Sequence, residues 1–257
     1  MTTIETAPRQ TDGGPPLGIL AVVSGALFLG GIALSTALAG GHAFPSPFAD
    51  SARIAAYFHQ HQNAVRVSGL LQFAASVPLA IYAATASARL RNLGIRAPGA
   101  TIALVGGALA ATMLALSGLV TWVLSRPEVL IEPAAARALQ DLAFAAGGVG
   151  HVVFLGLLVA GIAVPGLLAG LLPRPVALIG LVIAAVAEVS TLTLLVAGAA
   201  VLLPIARFTA LAWLIAAGFL LPRWRTNRAG SNPMTGSPQR TGPARSHRDR
   251  QQVEDED

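Results

Sequence analysis

The chain has 257 residues, of which 54% are apolar before glycine is counted and only 11% are charged. A water-facing domain carries about 25% charged residues, so this composition excludes an ordinary soluble globular protein. The net charge of +5 is no nucleic-acid signature: all 17 basic residues are Arg, and many flank apolar runs, where basic residues orient a membrane protein. The sequence holds no Cys, which removes disulfides, thiolate metal sites and thiol catalysis.

Residues 1–16 are polar and rich in Pro and Gly, the composition of a disordered tail. A first span is expected from Leu17 to Gly40, a stretch without a charge and long enough to cross the hydrocarbon core as a helix. Ala37-Leu38-Ala39 also fits a small-residue cleavage site. The preceding region, however, sets only Arg9 against Glu5 and Asp12, and the apolar run exceeds the roughly 7–15 residues of a signal-peptide core. A retained span is the expectation. In residues 41–66, Pro45 and Pro47 break the chain and Asp50 or Ser51 can cap a short helix. Ile54, Tyr57 and Phe58 share one face of it, which suggests a helix lying at the interface with that face toward lipid.

The second span is expected at residues 67–86, with Ser68, Gln72 and Ser76 forming one polar stripe toward other helices. Pro78 removes a backbone donor within it and predicts a kink. Arg89, Arg91 and Arg96 crowd the next loop without an acid. The third span, 100–125, offers Gly106, Gly107, Ala110 and Ala111 for close packing and ends near Trp122, a belt residue. Pro133 can open a helix at its first turn. The fourth span, 142–164, carries His151 one turn after Gly147 and Gly148. The fifth, 176–199, carries Glu188, and the sixth, 204–222, carries Arg207. Beyond it, Arg223, Arg225 and Arg228 form a basic stop suited to anionic lipid, and residues 223–257 read as a disordered, Arg-rich tail with an acidic end.

The fold class is therefore all-α: a polytopic bundle of six transmembrane helices. With both termini inside, Arg9, Arg89, Arg91, Arg96, Arg174, Arg223, Arg225 and Arg228 lie on the inner side near the membrane. Arg53, Arg66, Arg126, Arg137 and Arg207 lie on the outer side. The excess inside favours this N-in/C-in orientation.

Four stretches carry a resemblance: Phe73-Ala74-Ala75-Ser76-Val77-Pro78-Leu79, Ser87-Ala88-Arg89-Leu90-Arg91, Glu188-Val189-Ser190 and Trp213-Leu214-Ile215-Ala216-Ala217-Gly218-Phe219. Together they resemble an uncharacterised family of multi-pass, about six-span bacterial membrane proteins, chiefly actinobacterial, with a domain of unknown function. The resemblance extends over roughly residues 17–222. It implies the six-span fold and brings no activity, cofactor or site residue with it.

A carboxylate near the bilayer midplane costs about 2.5–3.5 kcal/mol on insertion scales and marks a site or a partner. Glu188 and His151 enter from opposite sides to similar depths, so a contact between them is expected to be sterically allowed. Gln72 and Arg207 complete a candidate intramembrane polar cluster with Glu188 and His151. Arg207 has two options, to snorkel to the outer head groups or to reach down toward Glu188. His59 and His61 lie two apart, diverging on a helix. No catalytic residue, cofactor or metal site is assigned: HExxH, GxSxG, P-loop and GxGxxG patterns are missing. Three functions follow in order. The first is a non-enzymatic membrane component with a buried polar cluster. The second is a proton-coupled carrier of a small solute using Glu188 and His151, and the third is an intramembrane enzyme.

Overall fold

The computed structural model describes residues 14–223. The tails expected at 1–16 and 223–257, with Arg225 and Arg228, fall wholly or mostly outside them. Among the described residues the secondary structure is entirely helical. Eight α-helices follow in order: α1 (Leu17–Leu38), α2 (Ser51–Gln60), α3 (Gln62–Asn92), α4 (Gly99–Val123), α5 (Pro133–Phe144), α6 (His151–Leu168), α7 (Arg174–Val189) and α8 (Leu202–Leu220). A π-helical segment, Ala145–Gly150, joins α5 to α6, so that one helical rod runs from Pro133 to Leu168. Six helical stretches are long and apolar enough to span a membrane: Leu17–Leu38, Gln62–Asn92, Gly99–Val123, Pro133–Leu168, Arg174–Leu194 and Ala197–Leu220.

The spans form a closed ring. Each packs on its neighbours in the order α1, α3, α4, α6, α7, α8, and α8 returns to α1. Six crossings place the start of α1 and the end of α8 on one face of the bundle. In lipid, apolar side chains gain little from leaving their solvent, so close packing and polar contacts hold such helices together. The sequence supplies both. α3 crosses α4 at Gly69 and Gly118, where a Cβ on Gly69 would come within 2.7 Å of the Gly118 carbonyl oxygen. α8 meets α1 at Gly218 and Gly18, where a Cβ on Gly218 would lie 2.7 Å from the Gly18 nitrogen. Hydrogen bonds tie further pairs: Ser24 Oγ to Ala75 O at 2.8 Å, Tyr82 Oη to Leu214 O at 3.0 Å and Trp213 Nε1 to Val176 O at 2.8 Å. The expected packing face of the third span is present, since Gly106, Gly107, Ala110 and Ala111 are all buried.

Several boundaries differ from the expectations. α3 is longer than the span expected at 67–86: Gln62–Arg66 extend it at one end and Ser87–Asn92 at the other, so that Arg89 and Arg91 lie in its last turn and not in a loop. The fifth span is shorter: α7 ends at Val189 and passes into 3-10 turns over Ser190–Leu194 and Ala197–Val201. The β-branched residues Val189, Thr191, Thr193 and Val196 weaken helix propagation there. The short helix expected in the first loop is α2, but its apolar face does not meet lipid. Ile54, Tyr57 and Phe58 bury against Val65, Leu124, Leu130 and Ala136, forming a small core of their own. Where that core faces water, each fully buried large apolar side chain contributes roughly 1.5–3 kcal/mol, and this is what seats α2 on the bundle.

Candidate functional site

A cavity of about 580 Å³ lies inside the ring at the α2 end. Its walls come from α1, α3, α4, the α5–π segment and α8, and residues 43–47 run over it. Gln72 on α3 and Phe28 on α1 each sit ten residues from the loop end of their helix, so the cavity extends about 15 Å into the bundle. The volume falls within the roughly 300–1,000 Å³ of small-molecule pockets.

Polar groups converge on it from five helices. Gln72 Nε2 donates to Ser117 Oγ at 2.8 Å, and Ser117 Oγ donates to Ala143 O at 2.8 Å. Thr121, one turn beyond Ser117 on α4, Ser68 one turn before Gln72 on α3, and Ser35 on α1 also line the space. Arg207 is the one charged residue among those lining the cavity. Its guanidinium donates to the Gly147 carbonyl and stacks over the Phe28 ring, 5.2 Å from the centroid. Among the described residues no carboxylate pairs with it.

The π segment explains why a carbonyl is presented there. Ala-Ala-Gly-Gly-Val-Gly lacks bulky side chains, so the helix can widen by one residue per turn, a geometry that recurs at functional sites. Gly147 faces Ser117 and Gln72 so closely that a Cβ would land on the Ser117 side chain and 3.0 Å from Gln72 Nε2. Satisfaction is incomplete around the cavity. Four side-chain atoms among the described residues are buried without a partner, Ser87 Oγ, Gln140 Oε1, Thr193 Oγ1 and Arg207 Nε. Two of those residues, Gln140 and Arg207, line this one space.

The covering loop is strapped down. Arg137 on α5 donates to Pro47 O at 2.8 Å and Ala49 O at 3.3 Å while bonding Asp141 at 3.1 Å. Phe44 packs on Tyr57 and Phe58, with ring centroids 5.4 and 5.5 Å away, and Phe48 packs edge-on against Phe144.

The four residues expected to form a polar cluster are divided by this arrangement. Gln72 and Arg207 share the cavity. His151 is 2% exposed and its Nδ1 lies 2.9 Å from Ala110 O, so it bridges α6 to α4 instead of meeting Glu188. Glu188 is exposed on the outside of α7 and lines no part of the cavity. Its angular position decides this: Ile183, Ala184 and Ala187 take the inward face of α7. Arg207 follows neither of its two expected paths, because the Gly147 carbonyl and the Phe28 ring hold it within the bundle. In the first loop, His59 is exposed and His61 stacks on His42 at 5.8 Å.

Ser117, Thr121, Gln140 and the loop 43–47 were not anticipated. A signal existed for the first two, which are four residues apart on α4 and match the Ser68–Gln72 spacing on α3. No family model matches the chain, and no curated protein or solved structure matches it either.

Proposed function

We propose that this polytopic membrane protein is a non-enzymatic solute-binding component of a bacterial cytoplasmic membrane. In this reading both termini face inside and the cavity at the α2 end opens toward the outside. The Arg distribution supports that orientation, and the resemblance to bacterial membrane proteins supports that location. One observation carries the binding role: a cavity of about 580 Å³ on which several polar side chains converge reaches into the bundle and holds a guanidinium that pairs with no acid among the described residues. Helix locking alone needs no such space, and interhelical polar contacts contribute only about 0.6 kcal/mol on average.

A second reading, a carrier for the same solute, has a specific support. Beyond the cavity the ring is filled by Tyr82, Leu90, Leu158, Ile162 and Leu214, as expected of a carrier closed on one side. Proton coupling through Glu188 and His151 has no geometric support, because neither residue lines the cavity.

The test uses the absence of native Cys. Single cysteines replacing Ser68, Thr121 and Ser35 are probed with membrane-impermeant thiol reagents, with Gly94→Cys and Gly170→Cys reporting the opposite face. Reaction of the three cavity positions from outside, and of the two loop positions only from inside, supports the reading. Silence at all three cavity positions with reactive loops means a dry bundle and removes it.

A further inference from the structure

The lining of the cavity reaches the flank of the bundle. α1 and α8 touch tightly at Gly18 and Gly218. At the other end of the same pair, cavity-lining residues Ile32 on α1 and Pro204 and Phe208 on α8 are exposed, Ile32 by 44% and Phe208 by 43%. Arg207 and Phe28 lie behind them on the same two helices.

We propose that this cavity is a binding site for an amphipathic oxyanion, a carboxylate or phosphate carried on an apolar chain, which enters from the bilayer between α1 and α8. The inference rests on the solute-binding reading and adds the ligand's charge, its chain and its route. The guanidinium is always charged and is shaped to grip two oxygens of a carboxylate or phosphate. One of its N–H groups holds Gly147 O, while Nε has no partner. Phe28, Phe144 and Leu203 offer an apolar wall to the chain, and the exposed Ile32 and Phe208 extend it to the lipid. A fully water-soluble anion would need no such apolar wall.

The experiment measures binding to the full chain in nanodiscs of zwitterionic phosphatidylcholine. The probes are radiolabelled dodecyl phosphate, dodecanoate, dodecanol and inorganic phosphate. Saturable binding of the two chain-bearing anions, and none of dodecanol or inorganic phosphate, is expected. Arg207→Gln should weaken that binding by about 10- to 100-fold, the range of a charged hydrogen bond, and Arg207→Lys by less. Ile32→Trp, which leaves the cation in place, should block entry and slow association at least about tenfold; it keeps the test open if Arg207→Gln fails to fold. Inorganic phosphate binding as tightly as dodecyl phosphate would overturn the bilayer source. Dodecanol binding as tightly as the anions would overturn the role of charge. Binding of none of the four, with the cavity cysteines still reactive, sinks this proposal and leaves solute binding standing; unreactive cysteines sink both.

Discussion

Replacing Gly147 by Ala tests how tightly the π segment lies against α4. A Cβ there would fall on the Ser117 side chain, within 2.7 Å of its Cβ, and 3.0 Å from Gln72 Nε2. The Gln72 amide is a flexible end and can yield. Ser117 is short and is held by the Ala143 carbonyl, so the backbone itself must shift. Overpacking of this kind costs about 1–3 kcal/mol. Alanine's better helix propensity offsets up to about 1 kcal/mol, which blurs the single variant but cancels in a double-mutant cycle. Ser117→Gly removes the obstacle at the expense of two interhelical bonds, about 1.2 kcal/mol together, and of glycine's propensity, about 1 kcal/mol. These losses also occur in both the single and the double variant. The coupling that remains is the clash, and the double variant should be about 1–3 kcal/mol more stable than the sum of its parents predicts. Unfolding by rising SDS in mixed micelles, followed by circular dichroism, gives all four corners. Additivity within about 0.5 kcal/mol would refute the close approach and with it the account of why Gly147 presents its carbonyl to Arg207.

Arg137→Gln releases residues 43–50 from their two carbonyl anchors, so a cysteine at Ser46 should gain reactivity and lysed-membrane proteolysis in this loop should accelerate; unchanged rates would mean that the aromatic contacts of Phe44 and Phe48 suffice. Trp213→Phe removes the bond to Val176 O and should lower stability by about 0.6–1.7 kcal/mol, read in the same SDS titration. Glu188→Gln should leave both stability and anion binding within error, since Glu188 is exposed and lines no part of the cavity; a tenfold change in binding would return Glu188 to the site. Burial raises the Tyr57 phenol above its ordinary value near 10. A raised folded-state value means a contribution that is full below the unfolded value and is lost as pH rises through the folded one. The seating of α2 should therefore weaken above about pH 10, and Tyr57→Phe should flatten that slope in a cysteine-reactivity profile at Ala55.

Six spans were legible because mean apolarity over about 20 residues is a strong, local signal. The small face of the third span and the inward stripe of Ser68 and Gln72 were legible for the same reason: helical period needs only one chain segment. The rotation of α7 was not. Glu188 shares a helical face with Ala184, Ala185 and Thr191, which looks like a packing face, yet Ala184 is buried and Ala185 is exposed, so the inward line falls on the other side of Glu188. Only the position of α6 and α8 decides that. Arg207 was misdirected for a related reason. Its target is a carbonyl 60 residues earlier, made available by a π turn whose sole trace is the run of glycines at 147, 148 and 150. Polar side chains announce themselves in a sequence, whereas an available backbone carbonyl does not.

Closure of the ring between α1 and α8 has a consequence for how the chain is assembled. Helices enter the membrane in order of synthesis, so α1, α3, α4, α6 and α7 stand as an open arc until α8 is made. Among the described residues Arg207 is thus the last intramembrane charge to arrive, and both groups that receive it, Phe28 and the Gly147 carbonyl, are already made. The cavity itself comes into being only with that final insertion, because α8 supplies one of its walls. Chains halted on the ribosome just before and just after α8 emerges should accordingly differ in cysteine labelling at Ser68 and Thr121, and an unchanged pattern would mean that α8 adds itself to a pocket already formed.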